Sequence, residues 1–223
     1  MPELKDRLIV ALDVDTLEKA EKIVSVLGNK VQFYKVGSQL FTAYGPKAIE
    51  MAAGKGGKVF LDLKFHDIPN TVYSATASGT SPNVFMMTVH VQGGIGMLKK
   101  AAEGAAMRAR ELNIKKPFVV GVTKLTSEES GVKDVLDAAR TAKEAGLDGV
   151  VCSVLEAKKI REEFGKDFII VTPGIRPRGS SAGDQKRIAT AREAIEAGAD
   201  YIVVGRPILE ASDPLKAVDE LLQ

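Results

Sequence analysis

Eight apolar, β-branched runs recur along the 223-residue chain, and a segment with helical periodicity follows each of them. The runs are Leu8–Leu12, Gln32–Val36, Val59–Leu63, Val84–Val89, Phe118–Val122, Gly149–Cys152, Phe168–Val171 and Tyr201–Val204. Most are near-continuously apolar instead of alternating, as strands of a parallel sheet covered on both faces should be. The helical segments are Leu17–Leu27, Gln39–Ala53, Thr71–Ser78, Gly96–Leu112, Val132–Ala145, Leu155–Phe164, Ala189–Ala197 and Pro214–Leu222. Thr16 is placed to cap the first of them, and Gly28 and Gly146 stand where C-caps belong. Eight strands alternating with eight helices predict an α/β fold, a (β/α)8 TIM barrel, as one catalytic domain over residues 1–223. A doubly wound open sheet is the alternative, because alternation alone does not require closure.

Such barrels gather chemistry at the carboxyl ends of their strands. Here those ends carry Asp13, Lys35, Asp62 with Lys64, His90, Thr123, Ser153, Gly174 to Arg176, and Gly205 with Arg206. The amino ends are mostly ordinary turn residues. Polar residues at one end of nearly every strand are hard to explain as packing, so the site is expected there.

Within that set, Asp62 and Lys64 follow the apolar run Val59-Phe60-Leu61, and residues two apart on a strand share a face. Lys35, inside the apolar second strand, needs a partner, and Asp62 on the adjacent third strand can supply one. Asp67 lies past the strand end, where a turn would return it toward Lys64. Lys35, Asp62, Lys64 and Asp67 would then alternate in sign, each neighbour favouring the charged form of the next. A purely structural ion cluster capping a strand is the competing explanation, and Asp13 could equally cap the following helix.

Pro173-Gly174-Ile175-Arg176 and Gly205-Arg206-Pro207 follow the seventh and eighth strands, the loops with which barrels frequently bind phosphate. Between them, 176–187 is rich in glycine, serine and polar residues and reads as a lid. His66 should point away from the Asp62/Lys64 face, and His90 reads as a hydrogen-bonded support. Met86, Met87 and Cys152 read as core residues. Neither histidine has a carboxylate at ligand spacing, so no metal site is expected, and no dinucleotide fingerprint or P-loop is present.

Composition narrows the setting. The net charge of +2 arises from 31 basic and 29 acidic residues without a basic run, so no nucleic acid or acidic membrane is called for as a partner. No signal-peptide pattern opens the chain, and no apolar stretch approaches the roughly 18–20 residues that span a bilayer. A single cysteine excludes an intrachain disulfide. A cytoplasmic protein fits best.

The segment Asp62–Thr71, DLKFHDIPNT, resembles the signature of the orotidine 5'-phosphate decarboxylase family. The likeness extends through Ala11-Leu12-Asp13, Tyr34-Lys35-Val36-Gly37, Leu125-Thr126-Ser127, the segment from Thr172 to Gln185, and Val204-Gly205-Arg206-Pro207. It implies cofactor-free decarboxylation of orotidine 5'-phosphate to UMP in pyrimidine biosynthesis, with Lys64 donating the proton to C6. It also implies that Asp62 lies beside the substrate carboxylate and that Lys35 and Asp13 contact the ribose region. Thr126 and Ser127 would face the base, while Arg176, Gln185, Gly205 and Arg206 would contact substrate and phosphate. Ile68 and Thr71 join the substrate-binding set, and Asp67 would reach the neighbouring site of a homodimer. Repulsion between Asp62 and the substrate carboxylate would add about 4 kcal/mol at 4 Å and an effective dielectric near 20, ranked below the lysine effect. Related readings are a magnesium-dependent sugar-phosphate decarboxylase or aldolase, and a non-catalytic nucleotide-phosphate binding protein. The stretch from Ser74 to Asn83 departs from the family pattern in its small polar residues, with consequences expected for local packing and the dimer contact.

Overall fold

Each apolar run forms a strand, and the eight strands close in sequence order into a parallel barrel. The computed structural model describes residues 4–54, 56–124, 131–177 and 189–222. The strands are β1 (Leu8–Ala11), β2 (Phe33–Gly37), β3 (Lys58–Phe65), β4 (Val84–His90), β5 (Phe118–Val122), β6 (Gly149–Val151), β7 (Ile169–Thr172) and β8 (Tyr201–Val204). Closure is made by β1 against β8, with Leu8, Ile9 and Val10 opposite Ile202, Val203 and Val204. The barrel replaces the open-sheet alternative.

The helices are α1 (Leu17–Leu27), α2 (Ser38–Tyr44), α3 (Pro46–Ala53), α4 (Pro69–Gly79), α5 (Gly94–Glu111), α6 (Val132–Glu144), α7 (Val154–Phe164), α8 (Ala191–Glu196), α9 (Arg206–Leu209) and α10 (Pro214–Leu221). Thr16 caps α1 by accepting from the Lys19 N–H, as expected. The single helix expected over Gln39–Ala53 is two. Gly45 takes φ 57 and Pro46 then starts a new helix, because the proline ring removes one donor and clashes with the preceding turn. The short α9 was not anticipated; its apolar signal is only four residues long. Among the described residues, no helix is long and apolar enough to cross a membrane.

Two apolar layers result from strand alternation. Ile9, Ala11, Phe33, Phe60, Met86, Val120, Val171 and Val203 fill the barrel interior. The residues between them, such as Leu8, Val10, Tyr34, Val59, Leu61 and Met87, face the helices. Met86, Met87 and Cys152 are buried core residues, as expected.

Along the small-residue stretch beginning at Ser74, two helices approach closely. A β-carbon on Gly104 of α5 would lie 2.3 Å from the Tyr73 carbonyl oxygen and 2.6 Å from the Thr76 hydroxyl of α4. The hydroxyls do not burden this contact, since Thr76 donates to the Val72 and Tyr73 carbonyls and Thr80 to the Thr76 carbonyl.

Candidate active site

The interior alternation does not stop at the apolar plug. Two residues beyond Ala11, Phe33, Phe60 and Met86 come Asp13, Lys35, Asp62 and Thr88, and Gly205 follows Val203 by the same step. Each inward row therefore turns polar toward the carboxyl end of its strand. A cavity of about 530 Å³ opens there, lined by Asp13, Lys35, Asp62, Lys64, Arg176 and Arg206 among others, with Phe60, Val151 and Val203 as apolar wall. Its size lies within the usual ~300–1,000 Å³ of small-molecule sites.

The charges form a chain of contacts. Lys35 Nζ lies 2.8 Å from Asp13 Oδ1 and 3.5 Å from Asp62 Oδ2, and Lys64 Nζ lies 2.8 Å from the same Asp62 oxygen. Burial alone would raise the Asp62 carboxyl, but Lys35 and Lys64, with hydrogen bonds from Lys64 and Thr88, outweigh it and hold it below the ordinary carboxylate range. Burial would likewise lower Lys35, yet Asp62 and Asp13 overcome it and raise the ammonium above its usual value. Both groups stay ionised because each is enclosed by opposite charge.

The alternation begins one residue earlier than expected and ends one residue earlier. Asp13 is its first member, paired with Lys35 and not spent as a helix cap. Asp67 is not its last. That side chain is exposed and accepts from the N–H of Ile68 at 2.6 Å, so it does not fold back onto Lys64. Carboxylates at such turns satisfy their own following backbone amides more readily than a distant partner. Ile68, 67% exposed, and Thr71, also exposed, stand beside Asp67 outside the cavity of their own chain.

Gly174, Arg176, Gly205 and Arg206, from the two loops of the anion reading, line the same cavity as the lysines. Arg176 is nearly buried, and its backbone N–H donates to the Ala189 carbonyl, which anchors the start of the 176–187 segment. Thr126, Ser127, Gln185 and the remainder of that proposed lid, from 178 on, lie outside the described residues. His66 turns off the charged face and stacks on His90, ring centroids 5.5 Å apart. Ser153 does not join the site; its hydroxyl donates to Glu156 at the start of α7.

Sequence reasoning passed over Thr88 and Gly37. Thr88 is fully buried, accepts from the Lys64 backbone N–H at 2.8 Å and donates to Asp62 Oδ1 at 3.0 Å. Its inward phase, two residues after Met86, was the available signal.

Comparisons with known proteins identify the family. The profile described as the Orotidine 5'-phosphate decarboxylase / HUMPS family matches residues 6–221. The chain is 47% identical over 225 residues to the orotidine 5'-phosphate decarboxylase of Moorella thermoacetica, covering 96% of this chain and 89% of that one. It is 44% identical to the orotidine 5'-phosphate decarboxylase of Trichlorobacter lovleyi, over 99% of this chain and 97% of the relative. The crystal structure of orotidine 5'-phosphate decarboxylase from Lactobacillus acidophilus is similar with a TM-score of 0.83 and 41% identity, over 96% of each chain.

Proposed function

The chain belongs to the orotidine 5'-phosphate decarboxylase / HUMPS family, and from that membership we propose a role for each group at the mouth of its barrel. The reaction is the decarboxylation of orotidine 5'-phosphate to UMP, a carbon–carbon lyase step of pyrimidine biosynthesis. The observation that carries the assignment of roles is the Asp62–Lys64 pair at 2.8 Å, fixed at the end of β3 on the cavity wall.

Loss of carbon dioxide from C6 of the pyrimidine leaves an electron pair on a ring carbon that has no adjacent electron sink. Stabilisation must come from a charge already in place. The Lys64 ammonium supplies it and then delivers its proton to C6, which completes UMP. Asp62 sits beside the substrate carboxylate and is held ionised by Lys35, so it favours departure of that carboxylate as neutral carbon dioxide. Lys35 and Asp13 hold the ribose hydroxyls. Arg176, Gly205 and Arg206 grip the phosphate, whose binding energy holds the reacting carbon against Lys64. Thr126 and Ser127 face the base, and Gln185 reaches the substrate from the segment between the two anion loops. No metal or cofactor takes part in this scheme.

The functional unit is a homodimer. Asp67, Ile68 and Thr71 are turned out of their own cavity and complete the partner's site, where Asp67 extends the charge array. The enzyme works in the cytoplasm and binds neither nucleic acid nor membrane.

The test is the loss of orotidine 5'-phosphate absorbance with the purified chain, run beside Lys64→Ala. Turnover by the wild type that survives EDTA, and its collapse in the variant, are expected. An inactive wild type, or a variant that keeps its rate, refutes these assignments. Activity abolished by EDTA and restored by magnesium would contradict the metal-free scheme.

A further inference from the structure

The Lys64 backbone has φ 51, one of two non-glycine residues with positive φ among the described residues. This conformation places Cβ against the backbone and persists only where the surroundings hold it. It falls where the pairing of β3 with β4 is irregular. Leu61 is opposite Met87 and Phe65 is opposite Val89, so three residues of β3 face a single residue of β4. That single residue is Thr88.

Its hydroxyl is committed in both directions. The Lys64 N–H can only donate, so Thr88 Oγ1 accepts there at 2.8 Å. The ionised Asp62 can only accept, so the hydroxyl proton points to Asp62 Oδ1 at 3.0 Å. Asp62 in turn receives Lys64 Nζ on its other oxygen at 2.8 Å. The circuit runs from the Lys64 backbone through Thr88 and Asp62 to the Lys64 ammonium. It fixes both ends of one lysine side chain with a single hydroxyl.

We propose that Thr88 is a positioning residue for the decarboxylation, holding the strained Lys64 backbone and the Asp62 carboxylate in the arrangement that aims the ammonium at the reacting carbon. The inference rests on the decarboxylase reading above. Without the hydroxyl, the Lys64 N–H and one Asp62 lone pair lose their shared partner inside the bulge. Lys64 then relaxes toward ordinary strand geometry and carries its ammonium with it. Phosphate binding at Arg176 and Arg206, which the Thr88 hydroxyl does not contact, is left as it was.

Steady-state kinetics with orotidine 5'-phosphate on Thr88→Val, Thr88→Ala and Thr88→Ser, each checked for folding by circular dichroism, test this. Thr88→Val keeps the shape and removes the hydroxyl. It should lose about tenfold to a hundredfold in kcat with KM within about twofold, the signature of a misplaced reacting group. Thr88→Ser keeps the hydroxyl and should stay within about threefold of wild type. Thr88→Ala repeats the comparison if the valine variant does not fold. Wild-type kcat in a folded hydroxyl-free variant overturns the proposal. So does a serine variant as deficient as valine, a loss confined to KM, or a serine variant that alone folds. Inactivity of the wild type would instead strike the decarboxylase reading itself.

Discussion

A β-carbon at Gly37 would lie 2.9 Å from the ammonium nitrogen of Lys35. The same atom would come within 3.0 Å of Asp13 Oδ1, so the Asp13–Lys35 ion pair occupies the space that a side chain at residue 37 would fill. Gly37 has φ −98, which any residue adopts, so its requirement is one of volume. Gly37→Ala is therefore expected to fold with a melting temperature within about 4 °C of wild type. It should lose about tenfold or more in kcat/KM as the pair is displaced. Equal kcat/KM for the two proteins would show that the pair tolerates the shift.

The charge array sets a pH range for stability. Asp62 is depressed below its ordinary 3.8, so its contribution is present above that value and is lost as pH falls through the lower folded value. Lys35 is raised above its ordinary 10.5, so its contribution is present below that value and is lost only as pH rises through the higher folded value. The array should therefore contribute a constant stability from about pH 5 to about pH 9. Urea midpoints of wild type and the Lys35→Met/Asp62→Asn double variant should differ by a constant amount across that range. A difference that changes within it would contradict the enclosure of Asp62 and Lys35 by opposite charge.

Gly104 tests the close approach of α4 and α5. Gly104→Ala inserts a methyl group against the Tyr73 carbonyl and the Thr76 hydroxyl, and should lower unfolding free energy by about 2 kcal/mol. Urea denaturation measures this, and turnover at low temperature should be retained, because Tyr73, Thr76 and Gly104 do not line the cavity. An unchanged midpoint would mean that the two helices separate at little cost.

Mixed dimers test the assignment of Asp67 to the partner's site. Lys64→Ala and Asp67→Ala chains, each nearly inactive alone, are unfolded together and refolded as a mixture. If Asp67 acts across the interface, each heterodimer carries one intact site, and about a quarter of wild-type activity returns. If Asp67 acts within its own chain, no site is intact and nothing returns.

Much of this is legible in the sequence. The barrel followed from eight apolar runs, and Lys35, Asp62 and Lys64 were placed together from strand phase and the cost of an unpaired buried lysine. Three things escaped for local reasons. Simple alternation does not reveal that Lys64 has a left-handed backbone, because the bulge depends on how β4 pairs with β3. Thr88 is inconspicuous because a threonine in a strand is ordinary, and its inward phase alone does not reveal its two partners. Asp67 escapes because proximity in sequence points to Lys64 as its partner. The Ile68 amide, one residue away, was nearer still.

The apolar plug of Ile9, Phe33, Phe60, Met86, Val120 and Val171 beneath the lysines has a consequence for proton supply. These side chains fill the barrel below Lys35 and Asp62 and leave the mouth as the way by which a proton reaches the array. While substrate occupies that mouth, the array holds a fixed complement of protons. On the roles proposed above, each turnover transfers one to product, and Lys64 would be recharged from solvent only after UMP has left. The shape of the barrel would then order reprotonation after product departure, and a solvent-isotope effect on the recharging step should appear after chemistry and not within it.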